Sequence, residues 1–207
     1  PLLRFGVKMK YLVTSALPYA NGPLHFGHLA GVYLPSDCYT RHKRLVGEEI
    51  IHICGSDEHG VAIMLNANKE KKSFQEYVDS WHLEHKSLFE QFEIEFDFFG
   101  QTSSDYHAEE VVKWFHELNE KGLIGTKDCQ QLQCGDCKNL LPDRFVEGEC
   151  YSCHFETARG DECPKCGILV EPTKLINPVC KICGSKNIDE VTVTQYYLLL
   201  SKFYDQW

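Results

Sequence analysis

Two histidines three residues apart, His25 and His28, lie in the stretch LPYANGPLHFGH at residues 17–28, with Gly27 between them and Asn21-Gly22-Pro23 ahead. Imidazoles at this spacing can donate hydrogen bonds to phosphate oxygens as charge builds in a transition state, and a loop glycine lets a nucleotide approach the backbone. The preceding residues 10–16, KYLVTSA, are rich in β-formers and read as a buried strand, which puts the histidines just past a strand's carboxyl end. Ligands of open α/β sheets bind there, and a helix starting at that point would aim free N–H groups and the positive end of its dipole at an anion. The competing reading is that both histidines serve ordinary packing.

A second set of chemistry-bearing residues lies further on. Of eleven cysteines, nine fall between Cys129 and Cys183, and eight of these form four Cys-x-x-Cys pairs: Cys134/Cys137, Cys150/Cys153, Cys163/Cys166 and Cys180/Cys183. Two intervening residues let both thiolates of a tight turn face one ion, and Gly167 and Gly184, directly after two of the pairs, suit such a turn. Two pairs make a tetrahedral site. Eight thiolates therefore imply two Zn²⁺ sites, structural because no coordination position stays open for water. Free or disulfide-paired thiols are the alternative, disfavoured without a secretory signal, and a redox pair would occur once, opening a helix after a strand. His154 reads as a surface residue beside a ligand, and Cys38, Cys54 and Cys129 as small apolar residues.

The elements that must carry these groups alternate in the first half of the chain. Helical sequence after the His loop is broken by Pro35, resumes near Ser36 and ends at Gly47. A second strand, residues 49–55, leads into Ser56-Asp57-Glu58-His59-Gly60; Ser73 and Glu76 make a capping box for a helix toward Phe92; residues 94–99 read as a third strand; and Val111, Val112, Phe115 and Leu118 recur at helical spacing before Gly122. A β-α-β-α-β-α order predicts a parallel, doubly wound sheet of the α/β class. Beyond about Leu123 runs are short and turns many, so we divide the chain at residues 1–122 and 123–207, the second part held by something other than a large core.

Bulk composition narrows the function classes. A net charge of −9 argues against broad nucleic-acid adhesion. Residues 134–190 hold ten acidic and seven basic side chains, and each Zn²⁺ with four thiolates adds −2, so this part would repel a phosphate backbone and is expected to hold a shape. The basic cluster Arg41-His42-Lys43-Arg44 reads as a solvated face. No apolar run suits a bilayer and the start, PLLRFGVKMKYLV, lacks a signal-peptide pattern, so a soluble, cytoplasmic protein with no membrane partner is expected. The Pro1 start and the aromatic end YYLLLSKFYDQW read as a chain cut.

Residues 16–28 followed by CGSDEHGVAI at residues 54–63 closely resemble the methionyl-tRNA synthetases, a family of class I aminoacyl-tRNA synthetases. His25-Phe26-Gly27-His28 matches the class signature His-Ile-Gly-His with Phe for Ile, whereas isoleucyl, valyl and leucyl synthetases typically show Gly-Trp-Asp-x-His-Gly where this chain has Gly55-Ser56-Asp57-Glu58-His59-Gly60. The resemblance covers essentially the whole chain. It implies the first half of a Rossmann-type nucleotide-binding domain with an inserted zinc-knuckle connective domain, truncated at its C-terminal end, in which the outer Cys pairs share one zinc and the inner pairs the other. Spacing alone leaves a sequential sharing equally open. LPDRFVEG, residues 141–148, is also typical of the family.

Members of the family join methionine to ATP as methionyl-adenylate, release pyrophosphate and pass the aminoacyl group to tRNA(Met); the resemblance implies these partners here, with Mg²⁺ accompanying ATP. By resemblance His25 and His28 contact the phosphates, Gly27 leaves room for the nucleotide, Asp57 holds the methionine ammonium, and Tyr19 and the Leu17 backbone line the amino-acid pocket. A carboxylate suits an ammonium and an aromatic wall a thioether. Asp57 could instead cap a helix, and Tyr19 could simply pack the loop. The second family signature, Lys-Met-Ser-Lys-Ser, is not found; VKMK at residues 7–10 precedes the first strand. The chain alone is therefore expected to be inactive. A smaller nucleotidyltransferase sharing His-x-Gly-His, or a zinc module fused to a nucleotide-binding fold for recognition only, are the other classes weighed.

Overall fold

The structure, a computed structural model, describes residues 9–206, with the side chains of residues 205 and 206 left aside. The opening stretch without a signal pattern, Val7 and Lys8 of VKMK, and the final Trp207 lie outside the described residues.

The chain divides into two compact units at Val111/Val112. In the first, strands β1 (Lys10–Thr14), β2 (Glu49–Ser56) and β3 (Phe98–Gln101) form a parallel sheet in the order β1-β2-β3. Parallel neighbours need crossovers, and helices supply them. Between β1 and β2 run a helical turn α1 (Phe26–His28), a π-helical segment (Leu29–Tyr33) and α2 (Leu34–Leu45); between β2 and β3 run α3 (Val61–Glu70) and α4 (Phe74–Gln91). The register pairs Thr14 with Ile53 and Ser56 with Gln101, so all three carboxyl ends come together. Along β2, Ile50, His52 and Cys54 are buried, and Cys54 joins Leu29, Tyr33, Phe89 and Ile94 in the core. A second cluster, Ala20, Ile63, Ala67, Tyr77 and Val78, packs α3 on α4. A Cβ on Gly55 would stand 2.9 Å from the Gly100 carbonyl oxygen, which explains a glycine in a buried strand.

Three local expectations are corrected. Pro35 does not break the helix. Proline lacks an N–H and crowds the carbonyl four residues back; here the wide π turn ends with the Leu34 N–H bonded to the Leu29 carbonyl, and Pro35 falls in the first turn of α2, where its missing donor is harmless. The third strand is Phe98–Gln101, not residues 94–99, because the Asp37 side chain takes the Glu95 N–H at 3.1 Å and the Asp97 carboxylate takes the His52 N–H at 2.7 Å, groups a longer ladder would use. The basic cluster is a clamp and not a freely solvated face. Arg44 Nη2 donates to both carboxylate oxygens of Asp97 at 2.8 and 2.9 Å, Arg41 reaches Asp37 at 2.6 Å, and Lys43 donates to the Tyr11 hydroxyl at 2.9 Å; His42 alone of the four is exposed. The Ser73–Glu76 capping box forms as expected at the start of α4.

Helix α5 (Asp105–Glu120) crosses the boundary between the units, and the sequence-based division at Gly122 falls just after its end. The second unit contains a long two-stranded ribbon, β4 (Ile124–Cys134) with β8 (Ile188–Leu198), paired antiparallel from Ile124↔Leu198 to Cys134↔Ile188. A small antiparallel sheet, β5 (Val146–Glu149) between β6 (Ala158–Arg159) and β7 (Ile176–Cys180), completes it.

Candidate active site and metal centres

The segment after β1 continues the sheet by one rung. The Asp57 N–H donates to the Pro18 carbonyl and the Ala20 N–H to the Asp57 carbonyl, both at 2.8 Å, so Tyr19 and Asp57 stand side by side just beyond the strand ends. The next residues are tied to the crossover helices. Asn21 Oδ1 accepts from Asn66 Nδ2 of α3 at 2.9 Å and from the Tyr77 hydroxyl of α4 at 3.1 Å, and His85 Nε2–H donates to the Gly22 carbonyl at 2.9 Å. His85 is fully buried, and desolvation lowers its pKa.

This anchored loop delivers His25 and His28. His25 is the N-cap of α1, in an extended conformation; its Nδ1 accepts the Gly27 N–H at 3.1 Å, while His28 Nδ1 accepts the His25 N–H at 3.2 Å. The rings stack with centroids 3.8 Å apart, and both residues are exposed. Because each Nδ1 accepts, each neutral ring carries its proton on Nε2 and offers that N–H as a donor. The N–H groups expected to meet an anion directly are, at Gly27 and His25, already taken by imidazoles, which leaves the ring edges as exposed side-chain donors. Gly27 has a reason of its own: a Cβ there would sit 3.0 Å from His25 Cε1.

Asp57 is half-buried and does not cap the following helix, whose N-cap is Gly60 without a side-chain bond. Gly60 has φ +141°, and a Cβ on it would run into the Tyr19 hydroxyl. Leu17 lines a cleft of about 250 Å³ at the strand ends, mostly apolar, with Thr14, Ile53, Phe98, Tyr106 and His107 on its walls; Tyr19 sits beside Asp57 and Gly60, outside those walls. Glu58, adjacent to Asp57, is fully buried among hydrogen-bond donors, a feature sequence reasoning did not single out.

The four Cys pairs fold as four copies of one turn. In each, the residue after the second cysteine is left-handed (Lys138 φ 60°, His154 φ 57°, Gly167 φ 70°, Gly184 φ 76°), and its N–H returns to the carbonyl of the first cysteine at 2.8–2.9 Å. The first cysteine of every pair is buried. The sulfurs gather in two sets, Cys134/Cys137/Cys180/Cys183 and Cys150/Cys153/Cys163/Cys166, each within 4.8 Å of one another: the nested arrangement. Cross-pair Sγ–Sγ distances are 3.5 and 3.8 Å in the outer set and 3.6 and 3.9 Å in the inner one. Tetrahedral Zn²⁺ with bonds of about 2.3 Å separates its sulfurs by roughly 3.8 Å, whereas a disulfide brings them to about 2.05 Å. The donor set fits zinc and not disulfides. These are the only clusters of three or more candidate ligands among the described residues.

The remaining cysteines differ. Cys54 is buried, its thiol pushed up to about 11 by desolvation, while Cys129 lies half-buried 3.5 Å from the Tyr197 hydroxyl and Cys38 is exposed, so only Cys54 has the interior setting expected of a small apolar residue. His154 is exposed and bonded to Glu149 at 2.6 Å, beside the inner set as expected and outside it.

A parallel nucleotide-type sheet with a capped His-x-Gly-His loop, joined to a unit carrying two Cys₄ sets, defines a class, and residues 11–207 match the family described as tRNA synthetases class I (M): the chain belongs to that family. Within it, the chain is 50% identical over 190 residues to a methionine–tRNA ligase of Chlamydia pneumoniae, with 92% of this chain and 34% of the relative covered, and 46% identical over 194 residues to that of Rubrobacter xylanophilus, with 94% and 33% covered. It thus spans about a third of the length of the curated relatives it matches. The fold is shared with the Mycobacterium tuberculosis methionyl-tRNA synthetase solved with methionyl-adenylate (TM-score 0.63, 19% identity, 95% of this chain and 33% of that one). It is shared also with a leucyl enzyme of Agrobacterium radiobacter K84 solved with tRNA (TM-score 0.65, 17% identity, 98% and 22%).

Proposed function

We propose that this chain is the nucleotide-binding, zinc-carrying part of a methionine–tRNA ligase, acting within a longer polypeptide that activates methionine with ATP and transfers it to tRNA(Met). The observation that carries this reading is the pair of stacked imidazoles with outward Nε2–H donors, on a loop whose backbone is paired to the one bearing Asp57.

Two anions must meet in the first step: the methionine carboxylate attacks the α-phosphorus of ATP, and the bond to pyrophosphate breaks. Catalysis of such a step is mainly positioning and charge stabilisation. His25 and His28 donate Nε2–H bonds to phosphate oxygens, and Gly27 keeps the His25 ring in its cap. Asp57 holds the substrate ammonium, and Tyr19 and Leu17 border the amino acid. Mg²⁺ would arrive on the nucleotide. The eight cysteines would hold two Zn²⁺, which supply folding energy to the insert and no open coordination site. Contacts with tRNA belong mostly to other parts of the longer protein, since the Cys-rich segment carries a net −3 before thiolates are counted. The workplace of such an enzyme is the cytoplasm; no helix among the described residues is long and apolar enough to cross a membrane.

Amino-acid-dependent ATP–pyrophosphate exchange tests this reading. The full-length protein should respond to methionine alone, and the isolated 207-residue chain should show almost no turnover. Stimulation by another amino acid or by pantetheine phosphate would refute the assignment, and near-normal exchange by the isolated chain would refute the need for the remaining parts.

A further inference from the structure

The loop after β2 carries two neighbouring carboxylates, and the reaction above uses only one. Glu58 is fully buried, every hydrogen-bond partner of its carboxylate is a donor, and His82 Nδ1 lies 3.9 Å from Oε1. Ser56 Oγ at 2.7 Å and Gln101 Nε2 at 3.2 Å meet Oε1; the Ser103 N–H at 3.2 Å and Ser103 Oγ at 2.5 Å meet Oε2. Since the Ser56 hydroxyl spends its proton on Glu58, the 2.7 Å contact between Ser56 Oγ and His82 Nδ1 must use a ring N–H, which fixes the tautomer of His82. Gln101 also donates to Asp79 at 2.8 Å, so α4 joins the same network.

A buried carboxylate is costly unless its oxygens are satisfied, and here they are. What the network accomplishes is geometric. The Glu58 N–H donates to Thr102 Oγ1 at 2.8 Å, the Thr102 N–H to the Ser56 carbonyl at 3.3 Å, and His59 Nε2 to the Thr102 carbonyl at 3.1 Å. Asp57 therefore sits between two restraints: its own peptide is paired with Pro18 and Ala20 of the loop after β1, and the next residue is bolted to the loop after β3.

We propose that Glu58 is a positioning residue for Asp57, its buried carboxylate fixing the point at which Asp57 meets the ammonium of the amino-acid substrate. This rests on the role given to Asp57 above. Glu58→Gln keeps the shape but places an NH₂ against donors whichever way it turns: one orientation faces the Ser103 N–H, which cannot rotate, and the other faces Gln101, which cannot turn without leaving Asp79.

Steady-state methionine-dependent pyrophosphate exchange by the full-length enzyme provides the test. Glu58→Gln should raise KM for methionine roughly ten- to hundredfold, the scale of a displacement near 1 Å at a binding group, with KM for ATP within about twofold. Ser103→Ala, which removes one donor and leaves the backbone N–H in place, should shift KM for methionine in the same direction by less, and it carries the test alone should Glu58→Gln not accumulate as folded protein. Equal rises in both KM values, or a fall in kcat with both KM values unchanged, would overturn the positioning role. A wild-type enzyme lacking methionine-dependent exchange would instead strike the reading of the site itself, and this proposal with it.

Discussion

Replacing Gly27 by alanine separates what the glycine does for folding from what it does for chemistry. Two opposed terms act on stability. A glycine in the first turn of a helix loses up to about 1 kcal/mol relative to alanine, so the substitution gains something of that order. The new Cβ would stand 3.0 Å from Cε1 and 3.1 Å from Nδ1 of His25, tighter than ordinary contact. The ring is exposed, so it can swing away, and in doing so it gives up the 3.1 Å bond from the Gly27 N–H, a cap worth typically about 1 kcal/mol. The terms nearly cancel, and the thermal midpoint should move by less than about 4 °C for a chain of this size. On the proposed role of His25 toward phosphate, function has no such compensation. Once displaced, His25 loses its stacking on His28 and its outward Nε2–H, and a hydrogen bond to a charged group is worth about 1.5–3 kcal/mol, or roughly ten- to hundredfold in kcat/KM for ATP. The paired measurements are a melting curve and ATP-dependent exchange in the full-length enzyme. Unchanged kcat/KM for ATP in a folded variant would refute the argument that glycine is required here for the sake of the imidazole.

Further outcomes follow from other features. The protein should bind close to two Zn²⁺ per chain, and Cys150→Ser should lose one of them, from the inner set, while metal analysis still finds the other; iron, or intact disulfides in the native protein, would contradict the fit. Gly60→Ala, strained at φ +141° and driving a methyl into the Tyr19 hydroxyl, should lower stability by about 1–3 kcal/mol and raise KM for methionine, and a variant matching wild type in both would show that Tyr19 does not rest on Gly60. Burial lowers the pKa values of His52, His82 and His85. Below the ordinary histidine value of about 6.5 the unfolded chain therefore binds more protons than the folded one, and stability should fall as pH drops through that value until the folded pKa values are passed. With zinc saturating, His52→Gln should flatten the decline between pH 7 and 5.5, and an identical slope would count against the assignment.

The sequence was most legible where local signals and tertiary demands agree. β1 and β2 are short runs rich in β-formers, Ser73 and Glu76 cap a helix by local bonds, and the Cys spacing survives any context because each turn closes on itself. Signals failed where distant groups intervene. The third strand starts late because Asp37 takes the Glu95 N–H and Asp97 the facing His52 N–H of β2, and no window around Ile94 contains Asp37. The long ribbon escapes local reading because segments such as Asp128-Cys129-Gln130-Gln131 lack apolar alternation and pair with residues sixty or more positions away, where Asp128 opposes Thr194. Glu58 was passed over because an acidic residue is ordinarily a surface group; only its four donors, three of them over forty residues distant, make it an interior one.

If the two Cys₄ sets take up zinc as proposed, their nesting predicts an order of assembly for the second unit. Inner cross-contacts span 10 and 16 residues and outer ones 43 and 49, a difference in chain-closure entropy of about 1 kcal/mol. The inner ion should therefore be captured first in a substoichiometric cobalt titration of single-site variants, shortening the effective loop that the outer four must close. Cys134, one of the outer four, is also the last rung of the ribbon opposite Ile188, so closure of the outer set would tie the strands together at that end. On that prediction, the appendage would fold from the inside out as it loads its metal.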